Sequence, residues 1–150
     1  MPRVVTCIML NDDGELLVLK RSDKVRTYKG LWGGIAGYIE ENEDPYETAL
    51  KEIFEEAGLE ENDVMLLKQM TPFKFTDFYE EKRYDWKVFP FLFKIVKKSK
   101  IDIDWEHSEY RWISPSEIEN METVPHLKDI VFRFFGDKNG WGSRGGGEER

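Results

Sequence analysis

The stretch that most constrains this chain runs from Gly37 to Leu59 and reads GYIEENEDPYETALKEIFEEAGL. It predicts a turn leading into a helix. Asp44 is a good N-cap, Pro45 takes the first helical position, and Glu47 falls where the return partner of a capping box belongs. Gly58 ends the helix at a left-handed position that suits glycine best. At about 100° per residue, Tyr46, Ala49, Leu50, Ile53, Phe54 and Ala57 share one apolar arc. Glu52, Glu55 and Glu56 form a stripe beside it, because residues three and four apart stack on successive turns. Like charges at that spacing cost about 0.2–0.5 kcal/mol per pair, and Lys51 alone cannot neutralise them. A hard divalent cation would, since Mg²⁺ takes carboxylate oxygens and keeps its own waters and a substrate phosphate.

These residues carry a resemblance. The stretch resembles the box of the Nudix hydrolases, G-x5-E-x7-R-E-U-x-E-E-x-G-U with U a bulky apolar residue. Gly37, Glu43, Glu52, Ile53, Glu55, Glu56, Gly58 and Leu59 match in register. Lys51 stands where the family has arginine, and Ile35-Ala36-Gly37 stands where the family often has Pro-Gly-Gly. The flanking strands also look like the family, so the resemblance extends from Arg3 to about Gly136.

The resemblance implies an α/β fold, an α/β/α sandwich with a mixed β-sheet between helices. It also implies hydrolysis of a diphosphate bridge with Mg²⁺ or Mn²⁺, which would neutralise phosphate charge and lower the pKa of a bound water. Glu52 and Glu56, four apart on one helix face, are expected to be direct ligands, with Glu55 completing the set directly or through water. The family adds a backbone carbonyl at the start of the box, at Gly37 or Ala36. It also adds a glutamate a few residues before a bulky residue near the end of the sheet. Glu109 is the preferred match and Glu106 the alternative. Glu109 is the first choice of general base, Glu52 the second. Lysine at position 51 keeps the charge of arginine but lacks its planar fork, so the glutamate helix is expected to be less rigidly fixed.

At 150 residues the length suits one domain with a sizeable core. Apolar content of 40% and aromatic content of 14% argue against global disorder. A net charge of −8 argues against a long nucleic-acid partner, whose binding surfaces are basic. A small phosphorylated nucleotide remains compatible, because a bound metal offsets its charge. The single cysteine, Cys7, lies in an apolar run and reads as core rather than nucleophile. No signal-peptide layout or long apolar run is visible, so no membrane association is expected and the default location is cytoplasmic. A homodimer is compatible with the resemblance, since dimers are common in the family.

Val4 to Leu10 and Leu16 to Lys20 read as strands of a hairpin around the turn residues Asn11 to Gly14. Arg21 to Lys29 is a basic loop holding Arg21, Lys24, Arg26 and Lys29, with Arg26 and Lys29 chosen as phosphate contacts. Gly30 to Gly37 is apolar and glycine-rich, and Trp32 reads as core. Val64 to Met70, a strand around Phe73 and Phe75, and Trp86 to Val96 continue the sheet, with Pro90 marking an edge or bulge. Asp77 to Asp85 reads as a hairpin loop. Arg83 is a further phosphate contact and Trp86 a base-stacking residue. Lys97 to Lys100 reads as a basic turn, and His107 as an exposed residue. Val124 to Gly136 reads as an amphipathic helix. Residues 1–136 form the expected domain, and 137–150 a mobile, glycine-rich tail.

Two functions fit this reading. The first is a metal-dependent pyrophosphohydrolase acting on a nucleoside diphosphate derivative or a nucleoside triphosphate. The second is a sensor module of the same fold that binds a nucleotide without cleaving it. Such modules commonly lose box glutamates, whereas this chain keeps them, which favours the enzyme.

Overall fold

A computed structural model describes residues 1–97 and 100–136. The expected tail at 137–150, and part of the Lys97–Lys100 turn, lie outside the described residues. Among the described residues the sheet has eight strands. These are β1 (Arg3–Leu10), β2 (Leu16–Arg21), β3 (Trp32–Gly33), β4 (Ile35–Tyr38), β5 (Val64–Gln69), β6 (Phe73–Tyr79), β7 (Lys82–Ile95) and β8 (His107–Ile113). Helix α1 (Pro45–Ala57) follows β4, and α2 (Leu127–Phe135) closes the described chain.

Strand alternation divides the core. On β1, Val5, Cys7 and Met9 face one side with Ala49, Ile53 and Ala57 of α1. Ile8, one residue out of phase, packs on the other side with Leu127, Ile130 and Val131 of α2. β2 and β7 repeat the pattern. Leu17, Leu19, Phe91 and Phe93 belong to the α1 side, Leu16, Val18, Val88 and Leu92 to the α2 side. Strands apolar on both faces must be covered on both faces, so each helix takes one side. The result is the α/β sandwich with a mixed sheet. β1 and β7 run parallel, and the other pairings are antiparallel.

The Asp44 and Gly58 caps follow their sequence signals, but Glu47 does not return a bond to the Asp44 N–H to close a capping box. The Asp44 carboxylate accepts from the Tyr46 and Glu47 N–H groups at 3.0 and 3.2 Å. Gly58 has φ +73°, and a Cβ there would stand 2.8 Å from the Asp102 Cβ. Any larger residue would meet backbone strain and a clash at once.

Several expectations change. The β1–β2 hairpin holds at its turn, where Leu10 pairs with Leu16. The strands then part, and β4 takes over the edge of β1 from Val4 to Cys7. The loop expected at Asp77 to Asp85 is mostly strand. β6 runs to Tyr79, and only Glu80 and Glu81 turn, both with positive φ, the backbone a tight two-residue hairpin needs. Pro90 lies in the middle of β7, not at an edge or at a bulge of its own. It is tolerated because β5 stops pairing at Phe91 and β6 starts at Val88. The missing N–H therefore falls where no ladder bond is due. Phe54 leaves the apolar arc and is 57% exposed, since it lies roughly 100° round the helix from Ile53, beyond the reach of the sheet.

Candidate functional site

A cleft of about 430 Å³ opens on the α2 side of the sheet. Its floor includes Val4, Thr6 and Val88, and its walls include Phe75, Trp86, His126 and Ile130. It continues past Gly34, Ala36 and Gly37 to Lys51, Glu52 and Glu55 of α1, where Arg21 and Glu106 also line it. One end is thus aromatic and the other charged. At the aromatic end Trp86 stacks on Tyr84, with centroids 5.4 Å apart and planes 6° apart. Phe75 meets Trp86 at 5.0 Å and the His126 ring at 3.5 Å.

The box glutamates occupy three different environments. Glu56 is buried, Glu52 is half-buried, and Glu55 is exposed at the cleft. Glu56 Oε1 accepts from the Ala36 N–H at 3.3 Å. Its Oε2 is buried with no hydrogen-bond partner among the described residues. Burial first, then the neighbouring Glu52, push the Glu56 carboxyl well above the usual carboxylate range. Glu52 is also raised, first by burial, while its neighbour Glu56 pulls the other way. Each carboxylate disfavours ionisation of the other, and a cation beside them would oppose that effect.

Gly37 makes room for this pair. A Cβ on Gly37 would stand 2.3 Å from the Glu52 carboxyl carbon, a distance no side chain tolerates. The donor set fits Mg²⁺ or Mn²⁺. Among the described residues, no three acidic, histidine or cysteine side chains converge into a closed cage. Mg²⁺ does not need one, because it binds through one or two carboxylates and completes its shell with water and phosphate. Glu52 and the Glu56 carboxylate, with its orphaned oxygen, are two side chains of that chemistry. Lys51 does not reach these glutamates. Its Nζ holds Glu43 Oε2 at 3.1 Å, while Glu43 Oε1 accepts from the Glu40 N–H and the Thr48 hydroxyl. It ties the turn before α1 to the helix.

The structure brings Glu106, not Glu109, to the cluster. Ser22 N–H binds the Glu106 carbonyl at 2.8 Å, which holds Glu106 at the cleft beside Arg21. Burial and then Asp104 raise its carboxyl. Glu109 lies three residues along a strand that rises about 3.3 Å per residue. There it pairs with Lys20 in register, and its carboxylate lies 3.6 Å from Arg111. Arg26 and Lys29 are exposed and do not line the cleft. The fold turns them outward and Arg21 inward, so Arg21 takes the position expected of them. Arg83 also points away, held 3.1 Å from Asp85 on its own hairpin. Trp86 lies in the cleft as expected.

His107 is buried, not exposed. Its Nδ1 is 2.9 Å from Asp104 and its Nε2 3.8 Å from Glu56 Oε1. Burial lowers its pKa, and Asp104 opposes that effect. Strand alternation would not have flagged it, since Glu109 and Arg111, at even spacing from it on β8, are exposed. His126 and Tyr28 line the cleft as well, and neither sequence position carried a signal for it.

A family model described as the NUDIX domain matches residues 1–134. The nucleoside triphosphatase NudI of Escherichia coli is 27% identical over 123 residues, covering 77% of this chain and 84% of that protein. The crystal structure of the MutT protein from Methanosarcina mazei Go1 superposes with a TM-score of 0.70. It is 29% identical, over 89% of this chain and 91% of that one. An Ap4A hydrolase from C. elegans shares the fold with a TM-score of 0.72 at 16% identity, over 89% and 95% of the two chains.

Proposed function

Because this chain belongs to the Nudix family and is a hydrolase acting on phosphoric anhydride bonds, we propose that it is a pyrophosphohydrolase dependent on Mg²⁺ or Mn²⁺. Its substrate is a nucleoside triphosphate or a nucleoside diphosphate derivative. The triphosphate comes first, because the curated relative matched over most of the chain is named a nucleoside triphosphatase. The observation that carries the reading is Glu52 at the charged end of a cleft whose other end is aromatic, backed by the buried Glu56 with its unpartnered oxygen.

Glu52 and Glu56 would hold the metal, with Glu55 and the Gly37 or Ala36 carbonyl beside them. When bound, the metal offsets phosphate charge and acidifies a water. Arg21 contributes a guanidinium at the same end, positioned to take phosphate oxygens through charge-assisted hydrogen bonds. Glu106, raised by burial and then by Asp104, with Arg21 opposing, is the preferred general base, and Glu52 the second. Phe75, Trp86 and His126 offer ring faces to a nucleobase. No helix among the described residues is long and apolar enough to cross a membrane, and a cytoplasmic setting is part of this reading.

Purified protein should be incubated with Mg²⁺ or Mn²⁺ and a panel of nucleoside triphosphates and diphosphate derivatives, with products identified by mass. Cleavage by the wild type that Glu56→Gln loses by at least about a hundredfold supports the reading; removal of one electrostatic stabiliser costs on that order. Tight nucleotide binding without cleavage would move the assignment to a binding module of the same fold.

A further inference from the structure

Arg21 does not hold its place alone. Its Nε donates to the Thr27 carbonyl at 2.8 Å, and its Nη2 lies 3.4 Å from the Thr27 hydroxyl. The next residue, Tyr28, has φ +55°, a left-handed backbone that a bulky side chain adopts only where its surroundings force it. Those surroundings are specific. The Tyr28 ring is buried and leans on Tyr79 with centroids 4.6 Å apart, and its hydroxyl donates to Asp77. Asp77 and Tyr79 belong to β6, and Phe75, two residues before Asp77, points from the same strand face into the aromatic end of the cleft.

A continuous chain of contacts therefore runs from Asp77 through Tyr28 and Thr27 to Arg21. We propose that Tyr28 is a positioning residue: latched to Asp77, it fixes Arg21 against the phosphate end of the cleft and sets the span between that end and the aromatic wall on β6. The inference rests on the nucleotide reading above. Burial and then Asp77 push the phenol well above its ordinary range, so the hydroxyl stays a donor at any working pH. The substrate must bridge both ends at once, so the latch governs how well it binds. It touches no reacting atom and no carboxylate of the Glu52–Glu56 pair.

The test uses three single variants of the full chain and the double variant Tyr28→Phe with Asp77→Ala. Tyr28→Phe removes only the hydroxyl, Asp77→Ala removes the acceptor, and Asp77→Asn keeps a carbonyl oxygen that accepts from Tyr28. With the best triphosphate of the panel, Tyr28→Phe and Asp77→Ala should each raise KM about tenfold, the scale of a lost hydrogen bond to a charged group. Their kcat should stay within about twofold, Mn²⁺ binding followed by electron paramagnetic resonance should not change, and the double variant should be no worse than either single one. Asp77→Asn, which keeps a neutral acceptor, should raise KM less than Asp77→Ala does. A KM unchanged in Tyr28→Phe, single effects that multiply in the double variant, or a parallel loss of Mn²⁺ affinity would overturn the inference while leaving the enzyme reading intact. A wild type that cleaves nothing removes that reading. The latch is then decided by the affinity for a non-hydrolysable triphosphate, which should fall by the same factor in Tyr28→Phe, and an unchanged affinity rejects it.

Discussion

Around α1, Glu56 lies roughly 60° from Ile53, Glu52 roughly 100° and Glu55 roughly 160°, and exposure rises in that order. Each carboxylate is thus desolvated by its angle from the apolar arc, and Glu56 bears most of the cost. This has a pH signature. A carboxyl whose folded pKa is raised contributes its full stability below the unfolded value of about 4.3, and that contribution is lost as pH rises through the folded value. With chelator present, the melting temperature of Glu56→Gln should therefore rise relative to the wild type as pH rises above about 4.3, while the burial-lowered His107 and His126 contribute the same opposite trend to both forms. A difference between the two that does not grow with pH would contradict the burial argument. Gly37→Ala tests the other side of the pair. A methyl at that Cβ position would displace the Glu52 carboxylate, so Mn²⁺ affinity should drop roughly tenfold or more, as for loss of a supporting contact at a metal site. Unchanged affinity would mean that Glu52 is not a ligand.

Helix α1 and the turn before it act as one element. Asp44 caps the helix, Gly58 ends it, and Glu43 gathers the Glu40 N–H, the Thr48 hydroxyl and the Lys51 ammonium on one carboxylate. Lys51 therefore anchors the turn and leaves the other box glutamates to the sheet. An arginine fork at this position could hold Glu43 through two parallel bonds. Lys51→Arg is expected to tighten Mn²⁺ binding by roughly threefold, the scale of a partly exposed charge contact. Equal Mn²⁺ affinity and equal kcat in the two forms would show that the element is already fully held. On the opposite edge of the cleft, the β6–β7 hairpin is the counterpart element. Its tight turn at Glu80 and Glu81 keeps Phe75 and Trp86 in register across the strands.

For the whole molecule, ligand linkage gives a direct measurement. A cation bound only by the folded state at about a hundred times its Kd adds about 2.7 kcal/mol, or roughly 5–10 °C in melting temperature for a domain of this size. Mg²⁺ or Mn²⁺ should produce that rise at neutral pH, and chelator should reverse it; no shift would argue against the carboxylate site. The sequence by itself determined the box helix with its caps, the alternating strands, the buried Cys7 and Trp32, and the glutamate stripe, because each depends on spacing along one element. It preferred Glu109 to Glu106, placed Arg26 and Lys29 in Arg21's role, and missed His107 beside Glu56. Those are relations between elements distant in the chain. Which loop residue turns inward depends on the Tyr28–Asp77 contact, and which glutamate reaches α1 depends on where β8 begins beside Ser22. Periodicity fixes the face on which a side chain lies, but only the packed sheet fixes what stands opposite it.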